Sequence, residues 1–292
     1  MKISEFSSLV FDQETYKFDQ EMEYRQVFAN TDYIKLCVCA ESELKSEKRD
    51  NIECYLVNES GVKVTSTIVR RDYGKNFVVF SLSNSMTPLP LGTYTAYVTY
   101  KVNLTDETPK HIYHTDFCIQ NKTYLADTIC LTYYNNRNIY NTIFVDDKGQ
   151  YEKYSFRFVG SLLTREATFG TKTQVFSNQE QYSQLLSGFK KDKYPLVMGD
   201  NWGVPNGWGR KFRNALICYY CFMDGNRCSL DSEQDISRES ISDSYPFFRF
   251  TATINYEKNN SDEQDLELYK YICNNNGTKL LGNIVATNQK IG

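Results

Sequence analysis

Short stretches in which apolar and polar residues alternate, each closed by a turn-forming cluster, recur along this chain and limit what it can fold into. From Asp32 to Cys39 the apolar Ile34, Leu36 and Val38 alternate with Tyr33, Lys35 and Cys37, the period of two that sends successive side chains to opposite faces of a strand. One face is expected to pack and the other to meet water. Ile52 to Val57 alternates likewise and runs into Asn58-Glu59-Ser60-Gly61, a turn composition, before Val62 to Val69 returns as a second strand. Phe77 to Leu82, Thr93 to Lys101 and His111 to Ile119 continue the series, parted by Asp72-Tyr73-Gly74-Lys75 and Pro88-Leu89-Pro90-Leu91-Gly92.

Strands of this length and spacing predict an immunoglobulin-like or fibronectin III-like sandwich over residues 1–121. Its core is expected to hold the in-phase apolar positions Ile34, Leu36, Val38, Leu56, Val79, Tyr94, Ala96 and Val98. The run from Leu91 to Val98 has the form of the penultimate strand of such sandwiches, in which a Tyr near the strand start ties back to the backbone. The Cys-Trp-Cys pattern of antibody domains is absent.

After Asn121-Lys122-Thr123 the texture changes, and residues 122–256 read as a second β-rich domain with one or two short helices. Tyr133 to Asn138 is a polar turn, Asn141 to Asp146 a short strand, Asp147-Lys148-Gly149 a turn, and Tyr154 to Val159 a strand. Within Gln179 to Phe189, the residues Tyr182, Leu185, Leu186 and Phe189 recur at helical spacing. A loop from Gly199 to Gly209 leads into a short helix that Asn206 is expected to cap, with Trp208, Phe212, Ala215 and Leu216 on its buried face. Leu216 to Met223, the turn Asp224-Gly225-Asn226 and Arg227 to Leu230 form the strongest hairpin signal. Phe247 to Tyr256 is the last strand, and residues 257–292 are a polar, Asn-rich tail expected to be peripheral or ordered only by a neighbour. The fold class is therefore mainly β.

Composition excludes several functions. The chain is 41% hydrophobic and 24% charged with a net charge of −3 and no basic block, so the electrostatic footprint for phosphate backbones is missing and no specific nucleic acid is expected as partner. Met1 to Gln20 lacks the apolar core of a secretory signal, and no apolar run approaches the ~18 residues that span a bilayer, so no membrane partner is expected. The nine cysteines are odd in number and scattered, which predicts reduced thiols made in a cytoplasm.

No constellation for catalysis, cofactor or metal emerges. Cys218-x-x-Cys221 with Cys228 has the spacing of a partial zinc site but lacks a fourth ligand nearby, and buried structural thiols are the plainer reading. His111 and His114 fall on opposite faces of one strand. Gly-x-Ser-x-Gly is absent, and the glycines from Gly199 to Gly209 do not end in Gly-Lys-Ser/Thr, so neither a nucleophile elbow nor a phosphate loop is indicated. Asp231, Glu233 and Asp235 alternate in a way that suits Ca²⁺, with a solvated loop as the simpler account.

Gly199, Gly203, Val204, Pro205, Asn206, Lys211, Phe212, Asn214, Leu216, Asp224, Gly225, Tyr245 and Pro246 follow an order similar to that of structural proteins encoded by phages and prophages of Bacteroides and relatives. The chain resembles the tail-ring or hub proteins of crAss-like phages, chiefly over residues 131–255, with one departure where Gly207 separates Asn206 from Trp208. The resemblance implies a virion structural subunit of a tail or neck, made in the bacterial host cytoplasm and assembled with copies of itself in a cyclic ring and with other tail or neck proteins. It implies no catalytic or cofactor chemistry. The candidate assembly loop comprises Trp202, Val204, Pro205, Asn206 and Trp208, because glycine and proline allow tight turns and Trp is enriched among interface anchors. Trp208 has a competing place in the chain's own core, in phase with Phe212 and Leu216. The alternative function is a glycan-binding adhesion module in which Tyr and Trp stack on sugar rings.

Overall fold

The computed structural model describes residues 1–11, 25–40, 49–64, 67–84, 86–101, 108–109, 111–177, 183–199, 201, 203–231, 235–241 and 247–257, with backbone alone at 111, 170–177, 183–191 and 257. The fold is mainly β. The first part of the chain carries β1 (Lys2–Ile3), β2 (Gln26–Ala29), β3 (Ile34–Cys39), β4 (Ile52–Asn58), β5 (Lys63–Val64), β6 (Val69–Tyr73), β7 (Phe77–Ser83), β8 (Gly92–Tyr100) and β9 (His111–Gln120). They form two sheets, ordered β1-β3-β7-β6 and β2-β9-β8-β4-β5. The leading edge is split between them, β1 antiparallel to β3 and β2 parallel to β9, which gives the strand order of an immunoglobulin-like sandwich. Tyr94 donates its hydroxyl hydrogen to the Pro90 carbonyl at 3.1 Å, the corner tie expected at the start of the penultimate strand.

Ile34, Leu36, Val38, Leu56, Tyr94, Ala96 and Val98 are buried together between the two sheets. Val79 is buried but lies in a different cluster, on the outer face of its sheet against the second half of the molecule. The face of β3 expected to be wet is covered as well, with Lys35 at 8% and Cys37 at 0% exposure. Alternation records which face is apolar, and it is silent on what covers the other. The segment Val62 to Val69, read as one strand, is instead split between β5 and β6, which pair in different sheets.

A short 3-10 turn, Lys122–Leu125, leads into the second half: β10 (Thr128–Tyr134), β11 (Tyr154–Leu162), β12 (Thr168–Ser177), β13 (Ser183–Met198), β14 (Val204–Pro205), α1 (Asn206–Leu216), β15 (Tyr220–Met223), β16 (Asn226–Leu230), β17 (Ser237–Ser240) and β18 (Phe247–Glu257). The order β13-β11-β10-β15-β16-β18 closes on itself because β18 also pairs with β13, Lys193 opposite Asn255 through Met198 opposite Phe250. The result is a six-stranded barrel. Its interior is filled by Leu131, Tyr133, Phe156, Phe158, Met198, Ala252 and Ile254, alternate residues of their strands as the pleat requires.

Helix α1 buries Trp208, Phe212, Ala215 and Leu216, with Trp208 5.4 Å from Phe156 and Phe212 5.3 Å from Phe158 between ring centres. Gly209 is needed at the closest approach, since a Cβ there would lie 2.2 Å from the Phe250 ring. Asn206 does not cap the helix: it is the first helical residue, and Pro205, which occupies the cap position, makes no side-chain cap hydrogen bond. The predicted strand at Asn141 to Asp146 is reduced to the isolated bridges Ile139 to Thr142 and Val145 to Tyr151. Its backbone is held instead by side chains, Asn138 accepting from the Phe144 and Val145 amides at 2.7 and 2.8 Å. The hairpin β15–β16 turns through Asp224 and Gly225, at φ 48° and 91°, the left-handed pair a two-residue hairpin turn requires. Leu216, read as the start of that strand, closes the helix.

Sandwich and barrel share a seam of buried polar contacts. Arg157 of β11 donates to both oxygens of Asp32, Nε at 2.7 Å and Nη2 at 2.9 Å, with both side chains 6% exposed. Glu152 accepts from Arg71 Nη1 and the Tyr73 hydroxyl, each at 2.6 Å, and from Lys35 Nζ. Phe6, Cys37, Tyr73 and Val79 of the first half join the barrel's hydrophobic cluster. Residues 1–256 accordingly form one compact unit. The polar tail lies outside the described residues.

Candidate functional site

The candidate assembly loop is largely turned inward. Val204 and Pro205 form β14, pair with Phe248 and Phe247 of β18, and are buried. Trp208 is 5% exposed within the chain's own fold, so the structure seats it in the core. Asn206 faces solvent and accepts a hydrogen bond from Arg238 Nη1 at 3.2 Å. Trp202 lies outside the described residues, as do Glu233, Tyr245 and Pro246.

The largest projecting element was not foreseen. Residues expected to form helical turns after Gln179 are strand from Ser183 onward, and the residues before it lie outside the described set. Strand β13 runs antiparallel to β12 over ten residue pairs, from Thr168 opposite Lys193 to Ser177 opposite Ser183. Its contact with β18 begins only at Lys193 and that with β11 only at Leu196. The ten residues Ser183–Asp192 therefore extend beyond the barrel, a reach of roughly 33 Å for an extended strand. Helical spacing over so short an apolar run does not separate helix from strand. The missed signal was the partner segment, in which Thr168, Thr171, Thr173, Val175, Phe169 and Phe176 suit a pleated ribbon.

A second surface feature is aromatic. Tyr134 of β10 lies directly opposite Tyr220 of β15, with ring centres 4.7 Å apart and planes 24° from parallel. Tyr151 packs on Tyr134 at 4.9 Å, Tyr219 meets Tyr220 edge-on at 4.7 Å, and these two outer rings are 44% and 59% exposed. Lys153 and Arg227 lie over the row at 5.7 and 5.9 Å.

Cys37, Cys130, Cys218, Cys221 and Cys228 are buried in packed surroundings. Cys221 and Cys228 oppose each other across the β15–β16 hairpin with sulfurs 3.5 Å apart, and no disulfide joins any described cysteine. Cys218 lies in the turn before β15, and burial pushes its thiol up to about 12. Such thiols stay protonated and unreactive near neutrality. The hydrogen bond shared with Cys228 and burial also raise the Cys221 thiol. His114 packs beside Tyr97, with ring centres 5.7 Å apart. Lys211 is 4% exposed, and burial holds its ammonium well below the usual range; its Nζ donates to the Glu5 carbonyl at 3.3 Å and lies 5.4 Å from the centre of the Tyr133 ring. Among the described residues no group of three or more His, Cys, Asp or Glu side chains is arranged to hold a metal ion. Comparison with protein-family models, curated proteins and solved structures yields no match.

Proposed function

We propose that this chain is a virion structural subunit, part of an oligomeric ring or hub in a phage tail or neck, which acts by contacts with copies of itself and with neighbouring tail or neck proteins. The observation that carries this reading is the β12–β13 ribbon. Ten strand residues project past the barrel with no third strand beside them among the described residues, and a two-stranded ribbon standing alone in water is marginally stable. An element of that kind suits a place between subunits. The resemblance of residues 131–255 to phage ring and hub proteins points the same way. On this reading the protein is made in the host cytoplasm, resides in the virion, and performs no catalysis.

Light scattering on the purified full chain tests the proposal: a discrete multiple of the 34.0 kDa chain mass is expected. A chain that stays monomeric at every concentration and is missing from particles would sink it. The tyrosine row on the barrel wall favours a second reading, a glycan-binding module, because partly exposed rings beside cationic groups suit sugar contacts. Retention of a monomer on a glycan array, lost in Tyr219→Ala, is the result that would select it.

A further inference from the structure

Resting on the ring reading, we propose that the ribbon's partner is a second copy of this chain joined edge to edge, the outer edge of β12 in one copy pairing with the outer edge of Ser183–Asp192 of β13 in the next. A ribbon of two strands has two edges. Among the described residues neither edge meets another strand along Thr168–Ser177 or Ser183–Asp192. In an antiparallel pair about half of each strand's N–H and C=O groups point away from the partner, so each edge offers a row of unused donors and acceptors that invites a further strand.

The choice of occupant follows from counting edges. A twofold contact of β12 on β12, or capture of an unrelated strand, covers one edge and leaves the other bare. Pairing β12 with β13 of the next copy covers both edges with one repeated contact. That contact is head-to-tail, and it leaves no bare edge once the copies close into a ring. Direction agrees as well: cyclic symmetry points every ribbon the same way along the ring axis, so the adjoining β12 and β13 run antiparallel, as the two strands do within one ribbon. The ribbons would make a continuous barrel wall with two strands from each copy and a lumen on the axis. The ribbon also carries a bulge. After seven regular pairs, Gln174 faces Ser187 while Val175 faces Leu185, and three pairs follow. A bulge bends and twists its strand, and a closed wall needs such curvature.

Proline scanning of β12 in the full-length protein tests this. Proline removes an amide donor, and successive amides of the strand point alternately to β13 and outward. Single variants Thr171→Pro, Lys172→Pro, Thr173→Pro and Gln174→Pro, measured by light scattering and thermal melting, are expected to split into two alternating sets. The outward set should retain the wild-type melting temperature yet fall from the ring's mass to the monomer's. A variant with residues 171–190 replaced by Asn-Gly should also be a folded monomer. If the wild type forms a ring and both the shortened variant and every proline variant still do so, edge pairing is overturned while the ring reading survives. A wild type that is monomeric and does not enter particles overturns both.

Discussion

Arg157 carries a full charge into the seam between sandwich and barrel, where Asp32 meets it with two hydrogen bonds at 2.7 and 2.9 Å. Burial weighs against the guanidinium, but the Asp32 bonds and nearby charges outweigh it and leave its acidity weaker than usual. Arg157→Ala would leave the Asp32 carboxylate buried with the Ala29 amide and the Cys130 thiol beside it among the described residues. A loss of about 3–5 kcal/mol is expected, the usual consequence of stranding one member of a buried pair, and urea unfolding of the variant measures it. Glu152 supplies a pH dependence. Burial pushes its carboxyl up, yet Lys35 together with hydrogen bonds from Tyr73 and Arg71 outweighs this and holds it below the usual carboxylate range. A lowered folded value means the stabilisation is present above the unfolded value, about 4.3, and is lost as pH falls through the folded one. The urea midpoint of the wild type should therefore drop on acidification below about pH 4.3 more steeply than that of Glu152→Gln. Parallel curves would show that Glu152 does not couple folding to protons. Nothing in local sequence marks either residue as a seam contact, because their partners lie 125 and 117 positions away.

At the scale of elements, the β15–β16 hairpin and helix α1 were legible for different reasons. Asp224-Gly225 accepts the left-handed conformation at low cost, and the 3.6-residue spacing of Trp208, Phe212 and Ala215 marks one buried stripe. The helix also contains a glycine that its own propensity disfavours by about 1 kcal/mol relative to alanine. Packing explains it: at Gly209 a side-chain methyl would sit 2.2 to 2.8 Å from atoms of the Phe250 ring. Gly209→Ala should thus lower the melting temperature in spite of its gain in helix propensity. A variant that melts higher than wild type would mean that Phe250 swings aside freely. Tyr182, Leu185, Leu186 and Phe189 keep helical spacing, so local periodicity favours a helix where β13 forms. The partner strand decides for the extended form by taking up the backbone hydrogen bonds of β13.

For the whole molecule, the continuous cluster that runs from Phe6, Cys37, Tyr73 and Val79 into the barrel interior predicts that sandwich and barrel unfold together. Fluorescence of Trp208 in a Trp202→Phe variant, which reports on the barrel, and near-ultraviolet circular dichroism, to which the many tyrosines contribute, should give coincident urea transitions. Two separated transitions would show that the seam is too weak to couple them. The sequence by itself determined the predominance of strands, the sandwich core of Ile34, Leu36, Val38, Leu56, Tyr94, Ala96 and Val98, the buried stripe of α1 and the hairpin at Asp224, because periodicity and turn chemistry act over a few neighbouring residues. Tertiary structure alone decided that β18 closes a barrel on β13, that the second face of β3 is covered, that Trp208 points into the chain's own core, and that β12 and β13 stand out as a ribbon. Each of these depends on which distant segment pairs with an edge or covers a face, and alternation along one strand carries no record of its partner.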